Sequence, residues 1–139
     1  MRFAELPCLF TACSTHWFAG NPWPDLDGWR AIRDPAERLG RALDELYAYY
    51  ERTAPMFGNV LRDAELVEFA RDAVAPLDAY LDEAAEVLAA GRGARGRRRL
   101  LLLAALRHAV AFPTWRSLTA SGVARADAIA LVTALVDAA

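Results

Sequence analysis

A set of aromatic and polar side chains, spread along the sequence, has the composition of a small-molecule pocket. Such pockets are lined mostly by apolar and aromatic groups, with a few polar groups that fix the ligand's orientation. For any single member a role in core packing is favoured, because large apolar side chains are mostly buried for that reason. The set as a whole predicts a site for a flat or apolar ligand of moderate size, with His16 and Arg107 as further polar candidates. Its members are Trp17, Phe18, Tyr47, Met56, Phe57, Asn59, Phe69, His108, Phe112 and Trp115.

Cysteine and histidine are too few to build a closed metal site. Cys13 and His16 lie one helical turn apart, but two ligands do not complete a zinc centre. Cys8 and Cys13 do not have the spacing of a redox or zinc motif. We therefore expect no bound metal, with Cys13 in the core and His16 near the surface or the pocket rim.

Two further patterns imitate binding motifs. Gly91, Gly93 and Gly96 match the spacing of a dinucleotide fingerprint, which requires a preceding strand and an acid about 20 residues later. Here a predicted helix precedes the glycines, and no acid lies between Glu86 and Asp127. We interpret the pattern as a turn, and we expect no nucleotide or other cofactor.

A run of arginines follows these glycines. It could bind phosphate or nucleic acid, but it lacks interleaved aromatics, and positive charge at a helix start opposes the helix dipole. A solvated loop is favoured for Arg92, Arg95, Arg97, Arg98 and Arg99. An enzyme is not expected either, because the histidines and carboxylates are scattered and no nucleophile lies beside a base.

The composition is that of a single globular domain. The 139 residues are 55% hydrophobic and 24% charged, and the net charge of −2 argues against binding a polyanion with the whole surface. Residues 1–90 carry 16 acids and 8 arginines, whereas residues 91–139 carry 2 acids and 8 arginines. The uncharged run 100–106 is too short to span a bilayer, and the two cysteines fit a reducing cytoplasm.

Apolar residues recur at helical spacing along most of the chain, and no strand pattern appears. Leu39, Leu43, Leu46 and Tyr50 form the predicted buried stripe of a helix that begins after Asp34. The ranges predicted as helical are 5–19, 35–54, 56–62, 64–74, 76–90, 97–119 and 124–138, with a loop at 20–34.

Proline and tryptophan modify this helical pattern. Pro55 and Pro76 are predicted to separate helices, and Trp23 and Trp29 are predicted to pack onto the body from the loop. Pro113 lies inside a predicted helix, where it frees the carbonyl of Ala109. The resulting kink either opens space for a ligand or merely bends the helix around the core.

The last two predicted helices are apolar around most of their circumference. A small domain cannot surround two such terminal helices, so a symmetric partner is the economical way to bury them. The sequence therefore predicts a homodimer with a four-helix interface, two helices from each subunit. The expected interface residues are Leu101, Leu102, Ile129, Val132, Leu135 and Val136.

Segments 16–66 and 111–118 resemble TetR-family transcriptional regulators. Phe3, Leu9 and Phe10 fit the family pattern at the end of the recognition helix, although Leu6 stands where lysine is usual. The resemblance implies an antiparallel bundle of about six helices, similar to the C-terminal domain of that family. Residues 1–20 are then the remnant of the DNA-binding head and connecting helix, and residues 21–139 the effector-binding and dimerisation body.

The resemblance also implies a mechanism, that of a one-component repressor that releases DNA when a small molecule binds. The ligand would tilt the connecting helix, here residues 5–19, by binding one of two arrangements of the body more tightly. DNA would be contacted only through an N-terminal helix-turn-helix head that this sequence lacks, by a late start codon, a trimmed chain or a truncated gene. The alternative is a headless interaction module that forms heterodimers and binds no ligand.

Overall fold

The computed structural model describes residue 13, residues 16–66 and residues 68–139, without the side chains of residues 64–66, 68–70 and 73. Throughout this part of the chain the regular elements are helices, so the predicted all-helical class is confirmed. Residues 16–20 are helical, and six helices follow. They are α1 (Leu26–Arg30), α2 (Pro35–Leu66), α3 (Glu68–Ala89), α4 (Gly96–Ala109), α5 (Phe112–Ala120) and α6 (Arg125–Asp137).

The inward face of α2 forms the centre of the core. Its predicted stripe of Leu39, Leu43, Leu46 and Tyr50 is confirmed, since each of these side chains is at most 1% exposed. Burying one such side chain contributes about 1.5–3 kcal/mol relative to leaving it in water. The stripe belongs to one buried cluster with apolar side chains of α3, α4 and α6. Helices α1, α3, α5 and α6 all contact α2, which makes it the central helix of the fold.

Ion pairs between helices give their relative directions. Arg99 near the start of α4 pairs with Glu86 near the end of α3. Arg107 near the end of α4 places its Nε 3.0 Å from Asp82 Oδ1, one turn earlier on α3. Because the order of the partners reverses, α4 runs antiparallel to α3.

Arg38 fixes the start of α2 against the end of α3, although its side chain is only 6% exposed. Its guanidinium donates to the carbonyls of Ile32 at 2.9 Å and Ala90 at 2.7 Å, and also to those of Arg33 and Val87. Carbonyls at a helix end lack partners within the helix, and they lie at the negative end of its dipole. One buried cation therefore satisfies acceptors from two segments and holds the start of α2 beside the end of α3.

Two prolines predicted to separate helices lie inside them, so that prediction is wrong. Pro55 lies within α2 and Pro76 within α3. An internal proline loses the hydrogen bond to the carbonyl four residues earlier, here Glu51 and Asp72. All four residues are exposed. The freed carbonyls are thus on the solvent side, where water can hydrate them, and each helix continues because its opposite face is packed.

The predicted helix 97–119 is instead two helices, α4 and α5, separated at Val110 and Ala111. Ala111 is extended, with φ −73° and ψ 141°. Pro113 therefore lies in the first turn of α5, where its missing N–H costs little. The prediction of a proline inside a continuous helix is corrected, and the chain changes direction at this position.

The segment 20–34 contains the short helix α1, which the sequence did not predict. Asp25 caps it, since its side-chain oxygen accepts from the backbone N–H of Asp27 at 3.0 Å. Trp29 is fully buried, and Trp23 stacks on Tyr80 with ring centroids 4.9 Å apart. The expected packing of both indoles is confirmed. Cys13, by contrast, is exposed rather than in the core.

We expect Arg38→Lys to lower the free energy of unfolding by about 1–3 kcal/mol, because a single ammonium cannot reach acceptors on both sides as the guanidinium fork does. Urea denaturation followed by tryptophan fluorescence measures the change. Arg41→Lys is the matched control on the same helix: Arg41 is exposed and pairs only with Glu45 among the described carboxylates, so its change should stay below about 1 kcal/mol. Equal losses in the two variants would contradict the role given to Arg38.

Candidate functional site

A cleft of about 1140 Å³ lies between the C-terminal half of α2, the N-terminal half of α3, and α5. Its volume is slightly above the range of about 300–1,000 Å³ typical of small-molecule sites. The inner walls are apolar and nearly all buried in the protein. They are formed by Phe57, Leu61, Val74, Leu77, Leu81, Phe112 and Trp115.

Phe57 connects this cleft with residues 16–20. Its ring centroid lies 5.0 Å from that of Phe112 in the cleft wall. On another side it lies 6.3 Å from Trp17 and 6.2 Å from Phe18, both edge-to-face. A ligand that moved Phe57 would therefore act on the helical residues 16–20 through direct ring contacts.

Two tyrosines of α2 hold the break between α4 and α5. Tyr47 donates its hydroxyl to the carbonyl of Ala109 at 2.7 Å, and Tyr50 donates to that of Val110 at 2.5 Å. Pro113 has no N–H for the Ala109 carbonyl, so the acceptor predicted from the sequence to be freed is bonded by a side chain instead. These bonds fix the orientation of α5, and with it one wall of the cleft.

The other two tyrosines do the same for the segment before α1. Tyr49 donates to the carbonyl of Asn21 at 2.9 Å, and Tyr80 donates to that of Pro24 at 2.7 Å. Each of the four tyrosines of the chain thus satisfies a backbone acceptor outside a helix interior. Burial raises the pKa of the Tyr47 and Tyr50 hydroxyls, and that of Tyr49 to about 12, because the phenolate would lose its hydration.

Cationic side chains surround the mouth of the cleft. Among the lining side chains that the structure describes, four are arginines and one, Asp78, is an acid, which gives a net charge of +3. Arg107 is engaged by Asp78 at 3.4 Å and by Asp82 at 3.0 Å. Arg116 lies over the ring of Phe112, with its guanidinium carbon 5.4 Å from the centroid. The other two arginines are Arg62 and Arg71.

The structure brings part of the predicted pocket set together. The predicted residues that line the cleft are Phe57, Asn59, Arg107, Phe112 and Trp115. Sequence reasoning missed Arg62, Arg71 and Arg116. Only for Arg116, four residues after Phe112, could helical spacing have indicated a shared face.

The remaining predicted pocket residues are not among the described lining. Tyr47 is fully buried, and its hydroxyl is bonded to the break between α4 and α5. Met56 and His108 are exposed. Trp17 and Phe18 reach the cleft only through Phe57, His16 is exposed, and the side chain of Phe69 lies outside the described residues.

The outer face of α4 and α6 carries exposed leucines. Leu100 is 67% exposed, Leu131 48% and Leu135 58%, and Leu101 is exposed beside them. The expected interface residues Leu102, Val132 and Val136 are instead buried within the protein's own core. Of the expected set, Leu101 and Leu135 therefore lie on the surface. Ile129 is partly buried.

The glycines and arginines that resemble binding motifs in the sequence have structural roles. Gly91 and Gly93 have φ of 80° and 70° in the turn between α3 and α4, a conformation that favours glycine. Two of the neighbouring arginines have partners, since Arg92 pairs with Asp137 and Arg99 with Glu86. Within the described part of the chain, no group of three His, Cys, Asp or Glu side chains could hold a metal ion.

Comparison with protein-family models, with curated proteins and with solved structures gave no match for this chain. The similarity to TetR-family bodies therefore rests on the sequence segments described above and is a hypothesis. Among the helices that the structure describes, none combines the length and the apolar composition needed to cross a bilayer.

We expect the free energy of unfolding to fall as the pH rises above 10. The raised pKa of Tyr50 means that the folded protein keeps a proton that the unfolded chain releases near the ordinary pKa of 10.0. The stabilisation is therefore complete below pH 10 and is lost as the pH rises through the folded-state pKa. The slope is about 1.4 kcal/mol per pH unit for each such tyrosine.

Urea denaturation over a pH series measures this slope, and the sequence makes the result easy to interpret. All 16 basic residues are arginine, so no lysine titrates in the same range. Tyr50→Phe should be less stable at neutral pH but should lose less stability above pH 10. An unfolding free energy that stays constant past pH 10 would be inconsistent with this account.

Proposed function

We propose that this chain is the ligand-binding and dimerisation body of a TetR-like transcriptional regulator. The observation that carries the proposal is the cleft between α2, α3 and α5, with its aromatic walls and polar mouth. Its size and lining suit a small organic molecule. A pure interaction module could pack this region solid, so the cleft favours ligand binding over the alternative of an interaction module without a ligand.

The proposed signal passes through Phe57. This ring lines the cleft and contacts Trp17 and Phe18 of the helical residues 16–20, which the resemblance assigns to the end of the connecting helix. A ligand that prefers one position of Phe57 stabilises the corresponding position of Trp17 and Phe18. In a complete regulator the same shift would alter the spacing of two DNA-binding heads.

We expect Gly58→Leu to abolish ligand binding. A Cβ at Gly58 would lie 3.8 Å from the ring of Phe112 and 3.9 Å from Arg116 Nη1, which is ordinary van der Waals contact. The rest of a leucine side chain would then occupy the cleft. Thermal shift against a library of small molecules, followed by calorimetric titration of the hits, measures the loss.

Gly40→Leu is the matched control on the same helix. None of the described atoms lies within 4 Å of a Cβ added at Gly40, so this variant gains the same helix propensity, about 1 kcal/mol, without filling the cleft. It should bind ligand as the unmodified protein does. If the small molecules found in the screen bind Gly58→Leu with unchanged affinity, their binding site lies outside the cleft and the proposal is contradicted.

We also propose that the exposed leucines of α4 and α6 form the dimer interface. Leu100 and Leu101 lie on α4, and Leu131 and Leu135 lie one helical turn apart on α6. The small exposed residues Ala104, Ala134 and Ala138 lie at helical spacing among them. A two-fold axis would bring the same patch of a second copy onto this surface and bury both.

We expect the double variant Leu131→Glu and Leu135→Glu to be monomeric, because dimerisation would bury its charges without partners. Sedimentation equilibrium measures the mass. Met56→Glu is the matched control: Met56 is also a large exposed apolar side chain, but it lies on α2, away from this surface. A monomeric unmodified protein, or a dimer that survives the double substitution, would overturn the proposed interface.

A further inference from the structure

We propose that the ligand of this cleft is an anionic amphiphile, with an apolar body between the aromatic walls and a carboxylate, sulfonate or phosphate group at the arginines. This inference rests on the proposed ligand-binding function and names the class of ligand. The sequence alone predicted a flat or apolar compound. The charges that surround the cleft extend that prediction.

The net charge of the residues that line the cleft has the opposite sign to the net charge of the whole protein. The whole protein has a net charge of −2, and residues 1–90 carry an excess of eight negative charges. Nevertheless Arg62 and Arg71, both from that acidic part, line the same cleft as Arg107 and Arg116. A cleft whose lining charges are mostly of one sign, here four arginines and one aspartate, raises the local concentration of ligands of the opposite sign.

Two of the four arginines, Arg107 and Arg116, have different roles, and a third, Arg62, lies 3.9 Å from Asp63 Oδ1. Arg107 is held by two carboxylates of α3, Asp78 and Asp82, so it serves mainly to join α4 to α3. Arg116 makes no ion pair with any carboxylate that the structure describes, and its guanidinium lies against the ring of Phe112. A guanidinium supported in this way keeps its planar donors available for a bidentate anion.

The apolar and cationic parts of the cleft are adjacent. Phe112 contributes one face to the aromatic wall shared with Phe57 and carries the guanidinium of Arg116 within 5.4 Å of its ring centroid. Gly58 leaves open the space beside both groups. A ligand in this space would contact a ring and a guanidinium together, which a purely apolar molecule would not use.

Two fluorescent probes with the same aromatic body test the inference. Anilinonaphthalene sulfonate carries an anionic group, whereas phenylnaphthylamine lacks it and is neutral. We expect the sulfonate probe to bind more tightly and to weaken with added salt, because salt screens charge attraction. Gly58→Leu should remove binding of both probes, which locates them in the cleft rather than on the exposed leucines.

Arginine variants then separate charge from packing. Arg116→Gln and Arg71→Gln should each weaken the sulfonate probe about tenfold, the usual effect of losing a hydrogen bond to a charged group, and change the neutral probe less than about twofold. Arg52→Gln is the matched control. Arg52 also lies 5.4 Å from an aromatic centroid, that of Tyr49, but it is not among the described residues of the cleft lining.

Each outcome decides between the two proposals. If both probes bind in the cleft with equal affinity, or if the arginine variants weaken them equally, the anionic class is wrong and the ligand-binding function stands. If Gly58→Leu leaves both probes bound, the cleft is not a ligand site and both proposals fall. A salt-sensitive sulfonate signal lost in Gly58→Leu and reduced in Arg116→Gln and Arg71→Gln, but not in Arg52→Gln, supports both.

Discussion

The hydrogen bonds from Tyr47 and Tyr50 to the carbonyls of Ala109 and Val110 are the constraint on which the shape of this protein depends. A chain that leaves one helix and starts another in the interior exposes carbonyls that no helix can satisfy. Leaving one buried acceptor without a partner costs about 1–3 kcal/mol. The hydroxyls of Tyr47 and Tyr50, both on the buried face of α2, provide the hydrogen bonds that these two carbonyls need.

The direction of α5 follows from this constraint. With the break fixed at Val110 and Ala111, Phe112 and Trp115 are turned toward α2, and the rings of Phe112 and Phe57 lie 5.0 Å apart. The cleft remains because the third wall, on α3, presents aliphatic side chains such as Val74 and Leu77 that do not fill the space. The same break that interrupts the helix thus produces the wall of the candidate site.

The sequence predicted the parts of this arrangement that depend on local pattern. The helical class, the start of α2 at Pro35 with Asp34 as its cap, and the buried stripe of that helix follow from periodicity and capping. The predictions that were wrong concern features that tertiary packing decides. Pro55 and Pro76 are tolerated because they face water, a fact that depends on which side of each helix the core occupies. The break before Pro113 depends on tyrosines 60 or more residues away in sequence.

The candidate site was only partly predictable for the same reason. Aromatic residues can be selected from a sequence by type, but whether a ring lines a space or fills it depends on its neighbours. Phe57 lines the cleft, whereas the hydroxyl of Tyr47 is bonded to the carbonyl of Ala109 at the break between α4 and α5. Of the four cleft arginines the sequence selected only Arg107, because an arginine on a helix usually faces solvent. Their convergence on one cleft depends on how α2, α3 and α5 pack.

The break also connects the two surfaces to which functions are proposed. Leu100 and Leu101 lie on α4, whose last carbonyls are bonded to α2, and only Val110 and Ala111 separate the end of α4 from the start of α5. A ligand that shifts α5 against α2 therefore acts on the end of α4. Any resulting change in the affinity of α4 and α6 for a second copy must be matched by an equal effect of that copy on ligand affinity, because linkage between binding sites is reciprocal. Such coupling would depend on the hydrogen bonds of Tyr47 and Tyr50, since without them α5 could move independently of α4.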